Sequence, residues 1–217
     1  MSNPDSFIEE VTEEVRRDRL FGWMKRYGWI AVLAVLLIVG GATWREWREA
    51  RAQAEARALG DAILAALEAP TAAERADTLS ALPVEGEADA LVTLLAAGET
   101  GEGVRRDESV EALRAVANDA ALPLHYTQLA ALKMVMLQGR EADPQARLQT
   151  LAPLAEPGRP YRAPALEQMA LAEIDAGNAE TALGHLRMIV DGAGASAGLR
   201  QRASQLIVAL GGAPAGG

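Results

Sequence analysis

LEQMALAEIDAGNAETALGHLRMIVDG, residues 166–192, decides the fold of the larger part of this chain. Leu166, Met169 and Ala170 recur at helical spacing before Gly177, and Ala182, Leu186 and Ile189 recur at the same spacing after it. The spacing predicts one helix over 165–176, a turn at Gly177–Asn178 and a second helix over 179–190, ended by Gly192 and Gly194. Two helices joined so tightly must run antiparallel.

The same grammar extends in both directions. A last helix is expected over 197–210, followed by a flexible tail, 211–217. Upstream, Pro123 introduces a helix over 124–138, closed by Gly139, and Pro144 starts another bearing Leu148, Leu151 and Leu154. Pro157, Gly158, Pro160 and Pro164 mark a loop between these units. Further back, residues 85–97 offer Leu91, Val92, Leu94 and Leu95 as core positions, Gly98, Gly101 and Gly103 break the chain, and 108–118 carries Val110, Leu113 and Val116. Leu79 and Leu82 belong to a short helix stopped by Pro83. Leu59, Ile63, Leu64 and Leu67 form the apolar side of a helix over 43–68 that ends at Pro70–Thr71.

The units align on their turn glycines. Leu166, Met169 and Ala170 before Gly177 stand at the offsets of Gln128, Ala131 and Leu132 before Gly139, and of Glu87, Ala90 and Leu91 before Gly98. The three glycines lie 41 and 38 residues apart, a helical-hairpin repeat slightly longer than the common one. No hairpin of this kind buries its apolar face alone, so neighbours have to stack. Plain helical hairpins without a shared repeat are the simpler alternative.

Ahead of this region stands YGWIAVLAVLLIVGGATW, residues 27–44, uncharged between Lys25–Arg26 and Arg45. A helix of that length spans roughly 27 Å, close to the hydrocarbon core of a bilayer. Trp23, Tyr27 and Trp29 lie near one end and Trp44 and Trp47 near the other, where rings suit the headgroup layers. A membrane helix over 27–44 is therefore expected, after a tail, 1–26, in which Phe7, Ile8, Val11 and Val15 share one helical stripe. A cleaved secretory signal is the rival reading. It is disfavoured by the acids Glu9, Glu10, Glu13, Glu14 and Asp18 where such signals are simply basic. Five basic residues over 12–26 against four over 45–59 bias the N-terminus inward only slightly. The shortness of the tail favours a cytoplasmic N-terminus and, in a bacterium, an inner-membrane protein whose domain, 45–210, is periplasmic.

The formal net charge of −9 argues against nucleic acid as a partner, because a phosphate backbone calls for a basic footprint. Membrane lipid is expected around the anchor alone. No cysteine is present, which excludes disulfides and thiol chemistry. After Trp47 the only aromatic residues are Tyr126 and Tyr161, while Ala and Leu dominate, a composition for closely packed helices. His125 and His185 are the only histidines and belong to no metal-ligand spacing. GETGEGVRR, 98–106, lacks the GxxxxGK[ST] pattern and the strand of a phosphate loop. Glu108 with Glu111, and Glu141 with Asp143, do not make a calcium loop. No catalytic, cofactor-binding or metal-binding residue is expected, and so no enzyme. Met134, Met136, Met169 and Met188 are core fillers or the lining of an adaptable groove. Tyr126, Gln128, Arg162 and Glu167 are the candidate partner-binding surface residues.

Residues 166–192 resemble a tetratricopeptide unit: Leu166, Met169 and Ala170 take the first-helix positions, Gly177 the turn, and Ala182, Leu186 and Ile189 the second-helix positions. Glu173 departs from the pattern where an aromatic usually packs, and Gly194 stands near the usual terminal proline. With the FGWMKRYGW entry to residues 27–44 and the WREWREARAQAEA exit, the chain resembles the YfgM-like family of single-span ancillary subunits of the bacterial SecYEG translocon. The resemblance implies an all-α protein, with a transmembrane helix followed by a right-handed array of degenerate tetratricopeptide-like hairpins. It implies as partners the translocon subunits and a membrane-anchored periplasmic chaperone, and as function assistance to protein translocation or periplasmic chaperoning. A structural or assembly subunit of another membrane complex, such as a respiratory one, is the alternative.

Overall fold

A computed structural model describes the backbone of residues 4–99 and 104–213, with the side chains of 25–26, 29–30, 33–99 and 105–213. The described residues form helices and no strands: α1 (Pro4–Leu67), α2 (Ala72–Ser80), α3 (Glu87–Ala96), α4 (Val104–Asn118), α5 (Leu124–Gln138), α6 (Pro144–Leu151), α7 (Arg162–Asp175), α8 (Ala179–Asp191) and α9 (Ala197–Ala209). The chain divides into two compact units, Met1–Asp61 and Ala62–Gly217.

The first unit is the greater part of α1. Its backbone is one helix through the expected tail and the apolar run, and from Leu33 to Ala58 every side chain is exposed. Thr43, the one hydroxyl near the end of the run, donates back to the carbonyls of Val39 at 2.8 Å and Gly40 at 3.1 Å. From Arg45 the charged residues pair along the helix, Arg45 with Glu49 and Arg51 with Glu55, while Arg48 lies over the Trp44 ring and Arg51 over that of Trp47. Among the described residues no helix is long and apolar enough to cross a membrane. The side chains of residues 27, 28, 31 and 32, within the run, lie outside the described residues, as do those of the tail stripe Phe7, Ile8, Val11 and Val15.

In the second unit each helix from α2 to α9 packs on the next, and the alternate helices α3, α5, α7 and α9 also touch in succession. The core is correspondingly drawn out along the sequence. Leu94, Val110, Leu113 and Met134 fill the space between α3, α4 and α5. Leu132, Val135, Leu151, Leu154 and Ala165 carry it across to α7. Leu166, Ala170, Ala182, Leu186, Ile189, Leu199, Ala203 and Ile207 complete it among α7, α8 and α9. Alanines at the contact positions Ala170, Ala182 and Ala203 let these axes approach closely, as the composition anticipated.

Local chemistry sets the ends of the helices. Thr71 and Glu74 form a reciprocal capping box on α2. Asp143 caps α6 ahead of Pro144, and Ser196 caps α9. After α7, Gly177 takes φ 82°. Its N–H reaches Ile174 O at 3.0 Å, and the N–H of Asn178 reaches Glu173 O at 2.8 Å, a Schellman closure that L side chains resist. Gly211 and Gly212 close α9 in the same way on Val208 O and Ile207 O, so the first two residues of the expected tail belong to its cap.

None of these helices carries a basic residue in its own last turn. Cations from neighbouring helices take that place. Lys133 donates to Leu94 O at 2.7 Å, and Arg106 to Leu137 O at 2.8 Å and Gln138 O at 2.7 Å. Arg75 reaches Ala69 O at 3.2 Å while pairing with Glu99. Each contact satisfies orphan carbonyls, favours the negative end of a helix dipole and ties one hairpin to another. Burial holds Lys133 below the usual lysine range. A bidentate pair of Arg105 with Asp77 joins α4 to α2, and its guanidinium pulls the Asp77 carboxyl below the usual range.

Several expectations are corrected. Leu64 and Leu91 are exposed, and the buried positions beside them are Ala66, Ala90 and Val92. α7 begins at Arg162, because Pro164 falls in the first turn, where a missing N–H costs nothing. In α6 Leu151 is buried as expected, whereas Leu148 is only half-buried and Arg147 points inward instead.

Candidate partner-binding groove

The first candidate surface rests on Tyr126, Gln128, Arg162 and Glu167, and the structure scatters them. Gln128 is 6 % exposed and its Oε1 has no protein partner, so it belongs to the interior and not to a surface. It occupies in α5 the offset that Leu166 occupies in α7, and the shared register carries it inward. Glu167 is spoken for by Arg202 of α9, which holds both carboxylate oxygens at 2.8 and 2.9 Å and is itself raised above the usual arginine range by that pairing. Tyr126 packs against the α3–α4–α5 core and the ring of His125. Arg162 borders a cavity.

That cavity, about 480 Å³, opens at one end of the α7–α8 hairpin. Its walls are the loop 157–160, the start of α7, the end of α8 and the loop 192–195. Leu166 and Ile189 form the floor, and the side chains of Met188 and Arg162 meet at the rim. Proline and glycine build the first loop, glycine and alanine the second; Gly158 has φ 83°, and Gly192 has no room for a Cβ, which would stand 2.7 Å from Met188 O. Arg162 Nε donates to Ala155 O at 3.0 Å, and Nη2 makes a long contact of 3.9 Å with Met188 Sδ. No residue lining the cavity is acidic. Its other cation, Arg159, pairs with Glu156 outside it.

Leu166, Ala170, Ala182, Leu186 and Ile189 are buried together, Met169 is half-buried against the Leu132–Leu151 cluster, and Gly177 makes the turn. Glu173, in place of an aromatic, is buried and accepts from Asn178 Nδ2 at 2.7 Å across the turn. The methionines divide: Met134 is buried and Met169 half-buried, whereas Met136 and Met188 are exposed. Of the interfacial aromatics, Trp29, Trp44 and Trp47 are exposed, and Trp23 and Tyr27 lie outside the described side chains.

Among the described residues no group of histidine or carboxylate side chains could hold a metal ion. His185 is half-buried with its Nδ1 buried and unpartnered, and that desolvation holds it below the usual histidine range, partly offset by the nearby Glu173 carboxylate. Met188 is one of the methionines expected as core filler or groove lining, whereas the residues of the loop 192–195 are not among the surface candidates. The signal that could have found them is that two Gly/Pro-rich breaks, 157–164 and 192–194, flank one hairpin and therefore meet at its open end.

The described chain is thus an all-helical protein of packed hairpins. No protein-family model, curated protein or solved structure matches it.

Proposed function

We propose that this protein is a membrane-anchored interaction module that assists protein translocation or periplasmic chaperoning at the secretion translocon. The observation that carries the reading is the exposed apolar stretch of α1. Leu33, Val35, Leu36, Leu37, Ile38 and Val39 are all bare, on every side of the helix. Such a surface is costly in water and favourable in lipid, where a helix keeps its backbone bonds internal. Residues 27–44 then form the transmembrane helix, with Trp29, Trp44 and Trp47 at its edges. The self-paired Arg–Glu stretch leads out into the array of hairpins, which follow the degenerate tetratricopeptide pattern of the sequence. The N-terminus lies in the cytoplasm and the hairpins in the periplasm. The array binds protein partners, namely translocon subunits and a membrane-anchored chaperone, and the chain is not an enzyme.

In-cell cross-linking in a Gram-negative host, followed by partner identification, tests the proposal. Capture of the translocation channel or an envelope chaperone is the expected result. Stoichiometric capture of respiratory subunits without either would replace it by an assembly role in another complex. Leu36→Arg places a charge near the middle of the run, where it costs roughly 2.5–3.5 kcal/mol, and should shift the protein out of the carbonate-resistant membrane fraction.

A further inference from the structure

We infer that the groove between the two loops of the α7–α8 hairpin is the docking site for an extended segment of a protein partner in which an apolar side chain lies beside a carboxylate. The inference rests on the proposed interaction role and names the site and the chemistry of its occupant. The apolar half of the recognition is the floor of Leu166 and Ile189 with Met188 at the rim, 40 % exposed and able to adjust its unbranched side chain to what enters. A volume of about 480 Å³ lies in the range of ordinary ligand sites.

The charged half is Arg162. In a chain of net charge −9, this cavity is lined by arginine and by no acid. Arg159 is neutralised by Glu156, but Arg162 has no carboxylate partner. Its Nε anchors it to Ala155 O, which fixes the guanidinium plane at the groove mouth and leaves Nη1 to meet an incoming anion. Arg162 is also the first residue of α7, a helix with no side-chain cap, so the positive end of the helix dipole adds to the same field. Elsewhere, arginines such as Arg105, Arg147 and Arg202 meet a carboxylate supplied by the chain itself. Here the partner supplies it. The 192–195 loop carries no side chain larger than a methyl, so an extended backbone can approach.

The test uses the full chain in detergent micelles and a fluorescein-labelled peptide, Gly-Ser-Gly-Leu-Phe-Leu-Asp-Gly-Ser, read by anisotropy. Saturable binding is expected, weakened roughly 10- to 100-fold by Arg162→Gln or by replacing the aspartate of the probe with asparagine, as for loss of one charge-assisted hydrogen bond. The two changes together should cost no more than either alone. Met188→Glu, at an exposed rim position, should abolish binding while leaving the helical circular dichroism and its melting unchanged. Absence of saturable binding at about 1 mM probe, or equal binding by Arg162→Gln, overturns the proposal. A photo-cross-linker at position 188, compared with one at the exposed Met136, separates the two readings in cells. Translocon capture without a yield at 188 overturns the groove alone. Probe binding without translocon capture upholds the groove and overturns the export role.

Discussion

Asp175 stands between two arginines of very different surroundings, and that asymmetry gives a sharp prediction. Arg147 is 4 % exposed, donates Nη2 to Asp175 Oδ2 at 2.7 Å, and has a buried Nε with no partner. Arg140, its side chain 82 % exposed, takes the other carboxylate oxygen at 2.8 Å. Removing the acid therefore strands a buried guanidinium, whereas removing Arg147 leaves an aspartate that keeps Arg140 and some contact with water. Breaking a buried pair from the side that leaves an uncompensated charge costs about 3–5 kcal/mol. We expect that cost for Asp175→Ala. Arg147→Met retains most of the packing of the stem, relieves the unpartnered Nε and should cost about 0–2 kcal/mol.

The double variant Arg147→Met/Asp175→Ala should recover most of the loss of Asp175→Ala, since no charge is then left buried. At about 2–4 °C per kcal/mol for a unit of this size, Asp175→Ala should lower the melting temperature by roughly 6–20 °C. Thermal melts of the full chain in micelles, followed at 222 nm, provide the assay, with the three variants and wild type compared under one condition. Equal melting of the two single variants, or a double variant no better than Asp175→Ala, would refute the assignment of Arg147 as the vulnerable partner.

Gly177→Ala should cost about 1–2 kcal/mol because φ 82° puts its Cβ against the following carbonyl, while Gly184→Ala, mid-helix and unobstructed, should stabilise by up to about 1 kcal/mol; melts of the two variants check the contrast. Leu186→Ala, fully buried, should cost about 2–5 kcal/mol, and Leu91→Ala at the exposed site on α3 within about 0.5 kcal/mol. A chemical-denaturation midpoint that moved equally for both would sink the burial assignment. His185 titrates in the folded chain below its ordinary value of 6.5 because it is partly desolvated. Its depressed folded value means that the unfolded chain takes up the proton first. The stability tied to the neutral imidazole is therefore present above pH 6.5 and lost as the pH falls through the folded value. His185→Gln should flatten the pH dependence of melting just below pH 6.5, and an unchanged slope there would count against it.

The helices were legible in the sequence because their ends are written in local chemistry. Pro123 and Pro144 begin α5 and α6, Thr71 with Glu74 begins α2, and Gly177 ends α7 through a backbone angle that favours glycine. Leu166 and Gln128, at one offset before Gly177 and Gly139, are both buried, whereas Glu87 at that offset before Gly98 is exposed. What the pattern could not show was the meaning of a polar residue at a core offset. Gln128 reads as a surface residue by type, and Arg147 reads as a solvated helix face. Burial of each is decided by the neighbouring hairpin, which for Arg147 supplies Asp175 from 28 residues away. The same holds for Glu167, whose fate depends on Arg202, 35 residues downstream. The glycines show the limit from the other side. Gly98, Gly139 and Gly177 look equivalent as turn markers, yet Gly177 closes a Schellman motif, Gly139 itself takes φ 54° at the helix end, and Gly98 makes room for Lys133 Nζ, which would lie 3.4 Å from a Cβ. Residues that look alike as turn markers thus end their helices by different physical devices, which the neighbouring backbone and side chains decide.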